Sequence, residues 1–334
     1  MGQQYSFTML PNDAQVLALR MFNNMELIAF SVLSKKTFTV AKSLYRKADV
    51  RVSIESDVAV TLDTRETHSN TRLTFYENSN PPPTEFHIPN TINVQILSSG
   101  HFEALVWENM AMELKSWILH IMELFHHQSS LEEITITSDH RFSLNGIHSL
   151  LSDLKVDKLL FVFHLPTTIQ APSLLTPSQS LHFQLGNPFK QSMEIQKMFL
   201  QNVPVIHVFE VRNFQLNDLL SCTTKEVVAS YVHISAKEMR KWFKLWQNGA
   251  NPRLESMDFE FYSTAQEINW FAENQAQYKK LTREIYIEYV YEGADVRNGF
   301  EIWRKDRRGM AHVVVTSRMS GDRVLCAIRM KVIN

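Results

Sequence analysis

The feature that most constrains this chain is a set of short apolar runs that recur along its second half at nearly even intervals. Runs beginning near Leu131, Leu159, Leu181, Ile206, Val228 and Leu254 are 28, 22, 25, 22 and 26 residues apart. Between some of them the apolar period changes. Leu144, Ile147, Leu151 and Leu154, and again Ala236, Met239, Phe243 and Trp246, keep the 3-4-3 spacing that lines one side of a helix. A short strand followed by an amphipathic helix cannot cover its own apolar face. Neighbouring units must therefore stack, with the strands side by side in a parallel sheet and the helices outside.

The interval falls within the roughly 20–29 residue period of leucine-rich repeats. The expected fold class is α/β, with an irregular leucine-rich-repeat-like βα array over residues 131–334; α+β is the alternative. The array is irregular because Leu165 to Gln179, with Pro166, Pro172 and Pro177, has no helical pattern. Within it, Ser235 and Glu238 form a capping box, Gly249 suits the residue just past a helix, and Pro252 prevents continuation. Capping and core packing account for Trp242, Phe243 and Trp246 without any ligand. Ahead of the array, Val50 to Ile54, Val58 to Leu62, Leu73 to Tyr76 and Ile92 to Leu97 read as strands, and Pro81-Pro82-Pro83 marks an exposed connection. A helix from about residue 104 carries Leu114, Trp117, Ile118, Ile121, Leu124 and Phe125 on one face, giving a connecting β/α region over 48–130.

The nine glycines exclude several nucleotide sites. No pair is spaced for a Walker A loop, no G-x-G occurs, and G-x-S-x-G is absent. His120, Glu123, His126 and His127 cluster on the helix, but Leu124 stands where an inverted zinc motif needs histidine, so solvated polar groups are expected and neither metal nor cofactor. Cys222 and Cys326 are the only cysteines and read as buried thiols of a reducing compartment. The apolar stretch Leu159 to Phe163 is far too short to span a membrane. Polar residues from Gln3 to Asp13 interrupt any leader core, so the expected location is cytoplasmic and/or nuclear. Gly2 and Ser6 meet a loose myristoylation pattern, with no second anchoring signal beside them. At a net charge of -1 the whole molecule has no field drawing it to nucleic acid or lipid.

From Leu10 to Leu44 the chain is richer in apolar residues, 19 of 35. Asn12 suits the cap of a helix from Asp13 to Phe22, Asn23-Asn24 breaks it, a second helix runs through Leu27 to Leu33, and Ser34 caps a third. In the first helix Ala14, Leu17 and Met21 mark one side, Val16 and Leu19 another. So small a unit cannot hide both sides by itself. Either the rest of the chain or a second polypeptide covers the remainder.

Leu10-Pro11, Asp13, Val16-Leu17, then Glu26 through Ser31, then Ser34-Lys35-Lys36-Thr37 resemble the F-box as it occurs in a large nematode family. That family usually carries Met-Asp-Pro between its first two helices, where this chain has Phe22-Asn23-Asn24-Met25. The resemblance assigns an F-box to residues 6–47. It implies a Skp-type adaptor and, through it, a cullin as partners. The implied adaptor contacts are Leu10, Pro11, Val16, Leu17, Leu27, Ile28, Phe30, Val32 and Leu33. Further on, Leu216-Asn217-Asp218-Leu219-Leu220 and Trp246-x-x-Gly249-x-Asn251-Pro252-Arg253-Leu254 resemble the F-box-associated domain that accompanies such an F-box. That implies recruitment of a protein target by residues 131–334.

The last 39 residues hold nine basic side chains against three acidic. Phe300 to Asp306, followed by Gly309 and Val313 to Val315, reads as a β-hairpin that also resembles the family's ending, although Arg307 stands where glycine is commoner. Trp303, Arg304, Lys305, Arg307 and Arg308 are the candidate target-binding residues. The leading expectation is a non-catalytic substrate-recruiting subunit of a Skp–cullin–F-box ubiquitin ligase. The alternative is a nucleic-acid or anionic-surface binder using this hairpin, with Trp303 as a stacking face. A hydrolase built on Cys222 or the His120 cluster comes third.

Overall fold

The computed structural model describes residues 10–64, 69–77, 84–98, 101–125, 130–162, 178–184, 196–197, 199–200, 202–210, 214–263, 279–281, 295–305, 309–320 and 323–333. The chain divides into two compact units, Met1–Lys158 and Leu159–Asn334.

The first unit opens with three short helices, α1 (Asn12–Arg20), α2 (Asn24–Ser31) and α3 (Lys35–Lys42). Five strands follow: β1 (Asp49–Ile54), β2 (Val58–Thr64), β3 (Ser69–Phe75), β4 (Thr91–Ser98) and β5 (His101–Glu108). After helix α4 (Leu114–Leu124) come strand β6 (Leu131–Thr137) and helix α5 (Leu144–Leu151). The strands are ordered β6-β1-β2-β3-β4-β5. From β1 to β5 each strand pairs antiparallel with the next, whereas β6 lies parallel to β1, with Val52 opposite Ile134. Alternation along β1 buries Val50, Val52 and Ile54 while Arg51 reaches outward to Glu132 at 2.8 Å. The apolar stripe of α4, from Leu114 through Trp117, Ile118 and Ile121 to Leu124, is buried as its periodicity requires.

One expectation needs correction. Residues 104–108 lie in a strand, and the helix begins only at Leu114, because His101–Glu108 is held in register by β4, with Leu97 opposite Phe102 and Ile92 opposite Trp107. Cross-strand pairing decides the conformation of a segment whose local preference is indifferent. The division between the two units falls inside strand β7 (Val156–Val162), and β6 belongs to the first unit, where it pairs with β1.

In the second unit β8 (Ser178–Gln184), β9 (Val205–Phe209), β10 (Glu226–Val232) and β11 (Ser256–Ser263) run parallel and adjacent in chain order. Helix α6 (Leu216–Ser221) lies in the β9–β10 connection and α7 (Ala236–Gln247) in the β10–β11 connection. The strand anchors at Leu181, Ile206 and Val228 fall inside β8, β9 and β10, and Leu254 precedes β11 by two residues. Beyond them, β12 (Lys279–Lys280), β13 (Asp295–Trp303), β14 (Met310–Ser320) and β15 (Arg323–Ile333) pair antiparallel in succession, and β15 returns antiparallel to β11. The fold is mixed α/β, and the basic C-terminal run forms the expected hairpin, with Trp303 opposite Met310.

Candidate functional site

The helical trio is shaped by its caps. Asn23, expected as a helix breaker, starts α2: its Oδ1 accepts from the Glu26 amide and Glu26 Oε2 accepts from the Asn23 amide, both at 2.8 Å. Ser34 and Thr37 make the same reciprocal pair at α3. Helix α1 has Pro11 at the capping position and no side-chain cap, and it ends at Arg20. Leu19, Leu27 and Ile28 are wholly buried, and Met25 nearly so. The trio is tied to the rest of its unit: Asn24 Nδ2 donates to Thr64 Oγ1 at 2.9 Å, and the Arg46 guanidinium donates to the carbonyls of Phe22 and Arg20. Helix α4 covers α2 and α3.

The expected adaptor set therefore divides. Leu27 and Ile28 have no exposed surface, because α3 and α4 enclose that side of α2, and they serve the core. Leu10 and Pro11 are exposed, Leu17 and Leu33 are 67% and 61% exposed, and Val16, Phe30 and Val32 are half-buried. Met21, outside that set, is 85% exposed and four residues beyond Leu17, on the side of α1 that the sequence assigned to both.

The histidine cluster separates into different structural roles. His120 Nε2 lies 2.7 Å from Ser31 Oγ; since that hydroxyl donates to the Ile28 carbonyl, its oxygen accepts and the Nε2 carries the proton. The ring also packs on Phe38 at 4.7 Å. Burial holds the His120 pKa below the ordinary value, opposed by the nearby Glu123 charge. Glu123 itself pairs with Lys42 at 2.6 Å. His126 and His127 lie outside the described residues, among which no group of three metal-ligating side chains occurs.

In the second unit the distinctive sequence words meet at one buried side chain. Asn251 Oδ1 accepts from Trp242 Nε1 at 3.0 Å, and its Nδ2 donates to the carbonyls of Leu219 and Cys222 at 3.0 and 2.8 Å. The loop that ends α7 is thereby fastened to the end of α6. Gly249 at φ +101° makes the turn, and Asn251 itself sits at φ 46°. Asp218, fully buried, accepts from the Gln215 amide and from Gln196 Nε2, and burial raises its pKa. Cys222 is buried too, and desolvation pushes its thiol well above the usual range, which holds it protonated.

Arg304 belongs to this same structure. Its guanidinium stacks 4.8 Å above the Trp246 ring and donates to the carbonyls of Ala250 and Asn251 at 3.2 and 3.0 Å. It braces the Asn251 loop, while Trp303 and Lys305 beside it are exposed. Arg307 and Arg308 lie outside the described residues.

The segment with this architecture is similar to a known domain: residues 194–259, from the approach to β9 into β11, match a family model described as F-box associated. The matched region contains α6, α7 and the Asn251 loop. No curated protein and no solved structure was found to match the chain. Among the described residues no helix is long and apolar enough to cross a membrane.

Proposed function

We propose that the chain is a substrate-recruiting F-box subunit of a Skp–cullin–F-box ubiquitin ligase. In this reading the opening helices hold a Skp-type adaptor and the F-box-associated region holds a protein target. The observation that carries it is the coexistence of an F-box associated match at 194–259 with three short N-terminal helices that leave Leu17, Met21 and Leu33 in water. Covering each such side chain contributes about 1.5–3 kcal/mol, enough for a few of them to anchor a stable complex. The mechanism is positional. Holding a target beside the ubiquitin carrier raises the effective concentration of its lysines, and the chain contributes no group to the bond-making step.

The test is co-expression of the full chain with a Skp-type adaptor, followed by size-exclusion chromatography. Wild-type chain co-elutes with the adaptor, and the Leu17→Glu/Leu33→Glu double variant elutes alone with an unchanged circular dichroism spectrum. Co-elution of the double variant, or separate elution of the wild type, would sink the assignment. The anionic-surface alternative is less favoured, because Arg304, central to the basic hairpin, is committed to Trp246 and two carbonyls.

A further inference from the structure

We propose that the groove between α6 and α7 binds an extended acidic polypeptide segment, and that this is where the target named above is gripped; the inference rests on the substrate-recruiting reading. The groove encloses about 690 Å³, and one wall carries Lys237, Arg240, Lys241 and Lys244. Those positions follow i, i+3, i+4 and i+7, which places all four cations on one face of α7. The opposite face, with Ala236, Met239, Trp242, Phe243 and Trp246, is buried, so the helix cannot turn its basic face elsewhere.

Like charges at i and i+4 destabilise a helix, and both Lys237/Lys241 and Arg240/Lys244 have that spacing. Among the described residues Lys237, Lys241 and Lys244 have no ion-pair partner. The acid beside them, Glu238, is turned to the helix start, where Oε2 accepts from the Ser235 amide at 2.9 Å and hydroxyl at 2.7 Å. An anion from outside would complete the site.

The other wall selects the kind of anion. Gln215 and Asn217 expose amide side chains that can pair with a peptide backbone, over a floor that includes buried Leu216. Among the described residues no aromatic side chain lines the groove, so they offer a nucleic-acid base no face to stack on. The basic face runs from Lys237 to Lys244, seven helical rises or about 10 Å, the reach of about three residues of extended chain. A cluster of aspartates and glutamates of that length matches it.

The test uses full-length protein and a fluorescein-labelled peptide of ten glutamates, with a ten-glutamine peptide and an oligothymidine as comparators, read by fluorescence anisotropy. The glutamate peptide binds, the glutamine peptide does not, and affinity falls about tenfold in Lys237→Gln/Lys241→Gln/Lys244→Gln, whose unfolding midpoint is no lower than that of wild type, since two like-charge pairs are removed, and whose adaptor co-elution is unchanged. Equal binding by wild type and variant, or tighter binding of oligothymidine than of the glutamate peptide, would overturn the proposal. Loss of adaptor co-elution with retained glutamate binding would instead remove the ligase reading and leave the groove standing.

Discussion

At the scale of single residues, Asn251 concentrates the cooperation between α6, α7 and the loop that follows. Removing its amide takes away the partner of Trp242 Nε1 and the side-chain donor to the Cys222 carbonyl, while the Leu219 carbonyl keeps the Cys222 backbone amide. Asn251→Ala should lower stability by about 2–4 kcal/mol, seen as an earlier denaturant midpoint followed by tryptophan fluorescence. An unchanged midpoint would show that the loop is held some other way. Asp218 supplies a pH signature. Burial raises its pKa, so the folded state binds the proton more readily than the unfolded state and the group's contribution falls as pH rises out of the ordinary carboxylate range. Asp218→Asn removes this penalty, so its stability relative to wild type should improve from pH 4 to pH 7 in parallel denaturant titrations; a constant difference would contradict the assignment. The words around Asn251 and Asp218 were readable in the sequence as a resemblance, but their roles were not. The partners of Asn251 come from 9 to 32 positions away, and no local period connects them.

Among the elements, what was legible followed local physics. Ser34 and Ser235 could be read as caps because each pairs with the residue three further on. Asn23 obeys the same rule through Glu26, and it was misread because two consecutive asparagines also suit a turn. Asn23→Ala should cost about 1 kcal/mol, measured as the shift of the first unit's thermal transition. Strand β5 was not legible, since its conformation depends on β4 rather than on its own sequence. At the contact of α4 with α2 and α3, His120 gives a second titration of known sign. Its folded pKa is depressed, so the unfolded chain takes up the proton first, and stability is lost as pH falls through and below the ordinary histidine range. His120→Phe keeps the ring against Phe38 and should flatten that part of the pH profile between pH 7 and pH 5. A variant that loses stability on acidification as steeply as wild type would refute this.

For the whole molecule, the sequence indicated helices first, then strands, then strands alternating with helices, and the elements of the described residues come in that order. The pairing of β6 with β1 was not legible, because it joins segments about 80 residues apart. The opening helices proved to be partly covered by their own unit: Leu27 and Ile28 are core, and Leu17, Met21 and Leu33 are surface. The functional account rests on that remaining surface. It is tested most directly by titration calorimetry of the full chain with a purified Skp-type adaptor at low and moderate salt. Binding should show a negative heat-capacity change and an affinity that hardly varies with salt, as burial of apolar surface requires. Absence of binding, or an affinity that falls steeply as salt is raised, would contradict it.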